Sequence, residues 1–230
     1  MSLDLFDRTR QELGFRLHGK MSPTFDLQQE LDSAAYYICS AVISRGVDWG
    51  NKVQEYTQFI IDTAEREYQA EQVELQLIEQ SLRSAKSPLL DIGAGYGRLA
   101  KVYAEHQLQA FLVEPTQLGC QLIQRNTLAL FARATGQNIC FPDSTFRTVL
   151  ITWVLHHDAP DVPAQEVMQE IARVIAPAGM LISIEPLRDD FTENKWRILV
   201  EGNGFKIQKL EHYFSLHNET YAFLEAKREG

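Results

Sequence analysis

The chain has 230 residues, 45% of them hydrophobic and 23% charged, with a formal net charge of −9. That length can bury a core without disulfides or metals, and acids outnumber bases in both halves, which speaks against a nucleic-acid partner whose phosphates need a positive surface. Cys39, Cys120 and Cys140 form no C-x-x-C pair, no run approaches the roughly 20 apolar residues that span a bilayer, and MSLDLFDRTR lacks signal-peptide character, so a cytoplasmic chain with no zinc site and no membrane partner is expected.

Residues 1–86 carry helical signals and no strand. Asp26 and Gln29 have the spacing of an N-cap with its reciprocal partner, after which Leu27, Leu31, Ala34, Ala35, Ile38 and Val42 recur at helical intervals until Gly46. Asn51 and Gln54 repeat the cap spacing ahead of a second stripe, Val53, Tyr56, Ile60, Ala64 and Tyr68, which resumes at Leu75, Ile78 and Leu82. As one rod, residues 52–84 would run about 50 Å. A kink or break near residues 67–72 is therefore expected.

Residues 88–99 read PLLDIGAGYGRL. Leu89, Leu90, Asp91 and Ile92 have the pattern of a buried parallel strand, and Gly93, Ala94, Gly95, Tyr96 and Gly97 that of a turn into a helix from about Gly97 to His106. Glycine tolerates positive φ and lets a ligand approach the backbone closely, while a following helix aims unpaired N–H groups at the same place. A dinucleotide fingerprint, G-x-G-x-x-G, would need its third glycine at position 98, which is Arg98. Asp91, two residues before the first glycine, would repel a pyrophosphate and suits an ammonium group.

D-I-G-A-G-Y-G resembles the first motif of the class I S-adenosylmethionine-dependent methyltransferases. The resemblance implies that Gly93, Ala94, Gly95 and Gly97 pass under the amino-acid part of the cofactor and that Asp91 helps hold its ammonium. In that family, helices ahead of the motif often form a lid and part of the acceptor pocket, which makes Tyr36 and Tyr37 candidates for substrate contact. Packing against the sheet, or a homodimer through these helices, is the alternative use of the region.

From Leu89 onward short apolar runs alternate with helical stretches, the signature of a parallel α/β sheet. Ala110 to Val113 form a second strand, followed by Glu114 and Pro115. An acid there can accept hydrogen bonds from ribose hydroxyls, although nicotinamide enzymes place one similarly. Residues 116–125 read as a helix and 128–132 as a strand. ATGQNICFPDSTF, residues 134–146, resembles the family's G-D-A-x-x-L-P-F-x-D-x-x-F, with Thr135 in the position of the acid that meets the adenine amino group and Arg147 where an acid usually precedes the fourth strand.

Residues 148–152, ending in Thr152, form that fourth strand. Trp153, Val154, Leu155, His156 and His157 follow it, resembling the family's V-L-H-H segment at the cofactor's reactive end. Histidine can take a proton at neutral pH, so His156 and His157 are base candidates, with pocket shaping as the alternative. Residues 167–176 read as a helix, Pro177 to Gly179 as a break, and residues 180–184 as a fifth strand ending in Glu185, a second base candidate or a capping carboxylate. A helix over residues 191–202 precedes two strands whose short link, residues 214–220, demands an antiparallel pair.

The expected architecture is a Rossmann-like, seven-stranded, mostly parallel sheet with a reversed last strand, residues 87–230, behind a helical lid, residues 1–86. The expected function is methyl transfer from S-adenosylmethionine to an oxygen or nitrogen of a small molecule, with no metal. A non-catalytic methyltransferase-like subunit and a nicotinamide-dependent oxidoreductase are the alternatives.

Overall fold

Seven strands form one sheet in the order β3-β2-β1-β4-β5-β7-β6. This is seen in a computed structural model that describes residues 2–21, 27–157, 163–216 and 219–229; the expected cap at Asp26 lies outside them. The chain divides into two compact units, Met1–Glu71 and Gln72–Gly230.

The first unit holds α1 (Ser2–Leu17), α2 (Leu27–Arg45) and most of α3 (Trp49–Leu82). Phe6, Leu13 and Leu17 of α1 and Leu31, Ala35 and Ile38 of α2 are buried, as their helical spacing requires. The Trp49 indole N–H donates to the Thr9 hydroxyl at 2.9 Å, and the Arg8 guanidinium lies 4.0 Å over its ring. Of the kink or break expected near residues 67–72, the break is absent, and α3 runs through 34 residues as one helix. No Gly or Pro interrupts it after Gly50, and Glu, Gln and Ala in its middle favour helix.

In the second unit, β1 (Leu89–Ile92) pairs in parallel with β2 (Ala110–Val113) on one side and β4 (Phe146–Thr152) on the other. A central parallel strand is covered on both faces, which is why its sequence is an apolar run rather than an alternation. One face, with Leu90, Ile92, Val149 and Ile151, is buried with Val167, Met168 and Ile171 of α6 (Ala164–Val174) and Trp196 of α7 (Glu193–Gly202). The other, with Leu89, Leu112, Leu150 and Ile182, is buried with Ile78 and Leu82 at the end of α3 and Tyr103 of α4 (Ala100–Glu105).

β2 also pairs with the short edge strand β3 (Leu130–Ala132), beyond α5 (Gln117–Asn126). At the other side, β5 (Ile175–Leu187) lies parallel to β4 and antiparallel to β7 (Glu219–Arg228), which pairs in turn with β6 (Phe205–Leu216). The sheet thus has the reversed strand expected from the short link and differs from an all-parallel dinucleotide sheet. Pro177 to Gly179 do not separate a helix from a strand. α6 ends earlier, and the three residues form a bulge inside β5, where Phe146 pairs with Ile175 but Thr148 with Met180. Among the described residues no helix is long and apolar enough to cross a membrane.

Candidate functional site

β1, β2, β4 and β5 deliver their carboxyl ends to one edge of the sheet, where an open α/β fold binds ligands. After β1 the chain makes consecutive turns. The N–H groups of Gly93 and Ala94 both donate to the Val113 carbonyl, at 2.9 and 3.1 Å, pinning the turn to β2. Gly93, Gly95 and Gly97 have φ of 75°, 58° and 84°, in the left-handed region that favours glycine. At Gly93 a Cβ would also fall 2.5 Å from Val154 Cγ2, so this glycine allows the turn and the peptide after β4 to touch.

The helix after the turn begins at Ala100, later than expected, and has six residues. Gly97 N donates to Ala94 O and Ala100 N to Gly97 O, so turns consume N–H groups that a helix starting at Gly97 would have left open. Gly95 N instead donates to Glu114 Oε2 at 3.0 Å. The buried Glu114 carboxylate also accepts from the Thr116 N–H and hydroxyl, both on Oε1. Oε1 thus meets Thr116 and Oε2 meets the glycine turn.

Asp91 is buried on β1 and accepts from the Tyr103 hydroxyl at 2.9 Å. Burial pushes its carboxyl up to about 7, against the Tyr103 bond and the Arg98 charge that lower it, and with Glu114 adding to the rise. The native state therefore holds a proton that the unfolded chain loses near 3.8, and this contribution to stability fades as pH rises from about 4 to about 7. Arg98 is the only basic side chain in residues 88–99, and it is ion-paired with the buried Glu74. Two carboxylates and a committed arginine fit a ligand carrying a ribose and an ammonium group better than one carrying a pyrophosphate.

The peptide after β4 is held from beneath by β5. Trp153, at φ 61°, donates its N–H to Ile184 O at 2.8 Å. Glu185, fully buried, accepts on Oε1 from the N–H groups of Val154 and Leu155, and on Oε2 from the His156 N–H and from His156 Nδ1 at 2.8 Å. Four donors on one carboxylate wind residues 155–157 into a single 3-10 turn and leave Glu185 no open lone pair. Of the two expected uses of Glu185, a second base or a capping carboxylate, these contacts fit the capping one. Because Nδ1 must donate to it, the proton-accepting nitrogen of neutral His156 is Nε2. His156 is 7% exposed, whereas His157 is open to solvent with its ring centroid 4.0 Å away.

A family described as "Methyltransferase domain" matches residues 90–183, from within β1 to within β5. Residues 90–183 carry a methyltransferase domain. Among solved structures, the fold of this methyltransferase domain is shared with the 4+2 cyclase SpnF (16% identity over 66% of this chain and 80% of that one, TM-score 0.57). It is shared with an S-adenosylmethionine-dependent methyltransferase from Mesorhizobium loti (12%, 65% and 96%, TM-score 0.55). It is also shared with the 1,6-didemethyltoxoflavin N1-methyltransferase from Burkholderia thailandensis, solved with bound 1,6-didemethyltoxoflavin and S-adenosylhomocysteine (19%, 62% and 71%, TM-score 0.53). No curated protein matches the sequence.

The structure of the methyltransferase domain brings Asp91, the glycine turn, Glu114, Thr152 and Trp153 to the carboxyl edge. Pro115 follows Glu114 and its carbonyl accepts from Arg133 Nε at 3.1 Å. Thr135 has an exposed side chain, and its carbonyl accepts from Asn138 N at 3.1 Å. Of the nearby backbone donors, Ile139 N is taken by Glu170. Tyr36 and Tyr37 stand on α2 in the first unit, edge to face at 5.8 Å. Sequence reasoning missed Gly119, on the first turn of α5. A Cβ there would lie 2.5 Å from Glu114 Cγ and 2.6 Å from Gly95 O. Only its small side chain, three residues past the Thr116 cap, could have signalled this.

Proposed function

We propose that this chain transfers the methyl group of S-adenosylmethionine to an oxygen or nitrogen of a small-molecule acceptor. The observation that carries this reading is the pairing of the Gly93–Gly97 turn with Glu114, an acceptor carboxylate directly after β2 that suits a ribose hydroxyl. Asp91 takes the cofactor's ammonium, Thr135 and the backbone beside it flank the adenine, and Trp153 contributes to the acceptor side. When bound, the cofactor supplies an activated methyl group, so the protein has to align a nucleophile and accept its proton. His156 Nε2 accepts that proton, Glu185 fixes the tautomer, and His157 shapes the approach. An acidic surface supports a small acceptor over nucleic acid, and the cysteine content supports a cytoplasmic setting. The helices of residues 1–86 serve as the lid or as a dimer surface.

Calorimetric titration with S-adenosylhomocysteine, with NADH as control, tests the cofactor. Binding of the first alone is expected, and binding of NADH alone would overturn the reading. Below about pH 7, where Asp91 holds its proton, the ammonium must displace it. Affinity is expected to rise up to tenfold per pH unit towards pH 7 and then level, a dependence that Asp91→Asn should flatten. With an acceptor identified by methyl-transfer screening, His156→Ala should lower turnover about 10²-fold or more at unchanged cofactor affinity. Near-normal turnover would make His156 structural. The exposed Thr135 favours a second reading, a cofactor-binding subunit without transferase activity, which product formation from any acceptor would remove.

A further inference from the structure

Glu74 lies near the end of α3, within the second unit, and is 2% exposed. Nothing in the sequence marks it, yet three elements distant in the chain aim donors at its carboxylate. Arg98, next to Gly97 of the glycine turn, ion-pairs with Oε1. The Trp153 indole N–H donates to Oε2 at 2.9 Å, and the Tyr213 hydroxyl of β6 to the same oxygen at 3.2 Å. Burial and the Glu74 charge both raise the Tyr213 hydroxyl above its ordinary range, so it stays a donor at any physiological pH.

Trp153 is the residue that turns the chain out of β4. Its φ of 61° is rare for a bulky side chain and persists only where the surroundings over-determine it. Its ring meets Tyr221 at 5.0 Å and His156 at 6.2 Å, both edge to face. Whatever orients this indole therefore also borders the proposed base. On the other side of the same carboxylate, Arg98 leads directly out of the glycine turn.

We propose that Glu74 is a positioning residue whose single carboxylate ties the glycine turn, through Arg98, to the acceptor-side peptide, through Trp153, so that occupation of the turn reorients the indole. The coupling rests on the cofactor reading only for what occupies the turn; the tie itself is a property of the unliganded protein. A carboxylate is needed because each of its oxygens accepts. A carboxamide offers one accepting oxygen and one NH2, so Glu74→Gln can keep the Arg98 side or the Trp153 and Tyr213 side, and loses the link.

The test is 19F NMR of the full chain labelled with 5-fluorotryptophan, whose three tryptophans give resonances assignable by single Trp→Phe variants. Arg98→Met should move the Trp153 resonance in the unliganded protein and leave those of Trp49 and Trp196, the internal reporters of folding, in place. In a Glu74→Gln background the same change should add no further shift. S-adenosylhomocysteine should move the Trp153 resonance in the parent chain, and Glu74→Gln should abolish that response while weakening binding about tenfold or more. A Trp153 resonance indifferent to Arg98→Met, or shifted equally in both backgrounds, would overturn the proposal. Should Glu74→Gln not fold, Arg98→Met alone decides it by the same criterion. Failure of the parent chain to bind S-adenosylhomocysteine would sink the cofactor reading separately, since the Arg98 and Trp153 comparison needs no ligand.

Discussion

Glu185→Ala is expected to destabilise the methyltransferase domain by about 3–5 kcal/mol, the range for removing one member of a buried, charged hydrogen-bond group. Four donors, three backbone N–H groups and the His156 ring, converge on this fully buried carboxylate, and the substitution takes that acceptor from all of them. For a chain of this size the loss corresponds to a fall in Tm of roughly 6–20 °C. Glu185→Gln should fall between, because its oxygen can serve one pair of donors while its NH2 opposes the other. Thermal and denaturant unfolding of the three proteins checks the order. A loss below about 1 kcal/mol for the alanine variant would mean that water reaches the 3-10 turn and that Glu185 does not organise it.

Glu114→Ala should weaken binding of S-adenosylhomocysteine by about 10- to 150-fold, the equivalent of one charge-assisted hydrogen bond worth about 1.5–3 kcal/mol. The lost bond is the one proposed from a ribose hydroxyl to this carboxylate. The substitution also releases Gly95 N and both donors of Thr116, so a loss beyond this range would report disorder of the turn itself. Gly119→Ala separates the two effects, since it keeps the carboxylate and pushes a methyl group between it and the Gly95 carbonyl. Its affinity should fall at least as far as that of Glu114→Ala. Titration calorimetry measures both, and unchanged affinity in Glu114→Ala would remove Glu114 from the ribose assignment.

The parts of this molecule that the sequence made legible are those in which cause and residue are neighbours. β1 reads as an apolar run because both its faces are covered, the glycine turn reads from its spacing, and the reversed strand follows from a link too short for a crossover. What stayed hidden depends on residues far apart in the chain. Glu74 sits in an ordinary helical stretch, and its three donors come from positions 98, 153 and 213. Gly119 matters because α5 folds back onto the glycine turn, a proximity that no local pattern encodes. Glu185 could be read as base or cap from its place at a strand end, and the four donors that converge on it come from a segment some 30 residues away in the chain. The break expected in α3 came from a length argument, but the length of a rod does not itself interrupt a helix that has no Gly or Pro after its second residue.

The bulge in β5 has a consequence for how the domain can change. Met180 to Ile184 are in register with β4, and the five steps from Met180 to Glu185, at about 3.3 Å each, place the bulge some 16 Å from the end that carries Glu185. Pro177 and Ala178 are exposed there, whereas Gly179 is enclosed by Ile175, Ala176 and Arg147. The sheet thus has a working edge and a permissive one. Between Pro177 and Ala178 the chain offers a place for an inserted label or a grafted segment, and its residues have no part in holding the glycine turn or the 3-10 turn.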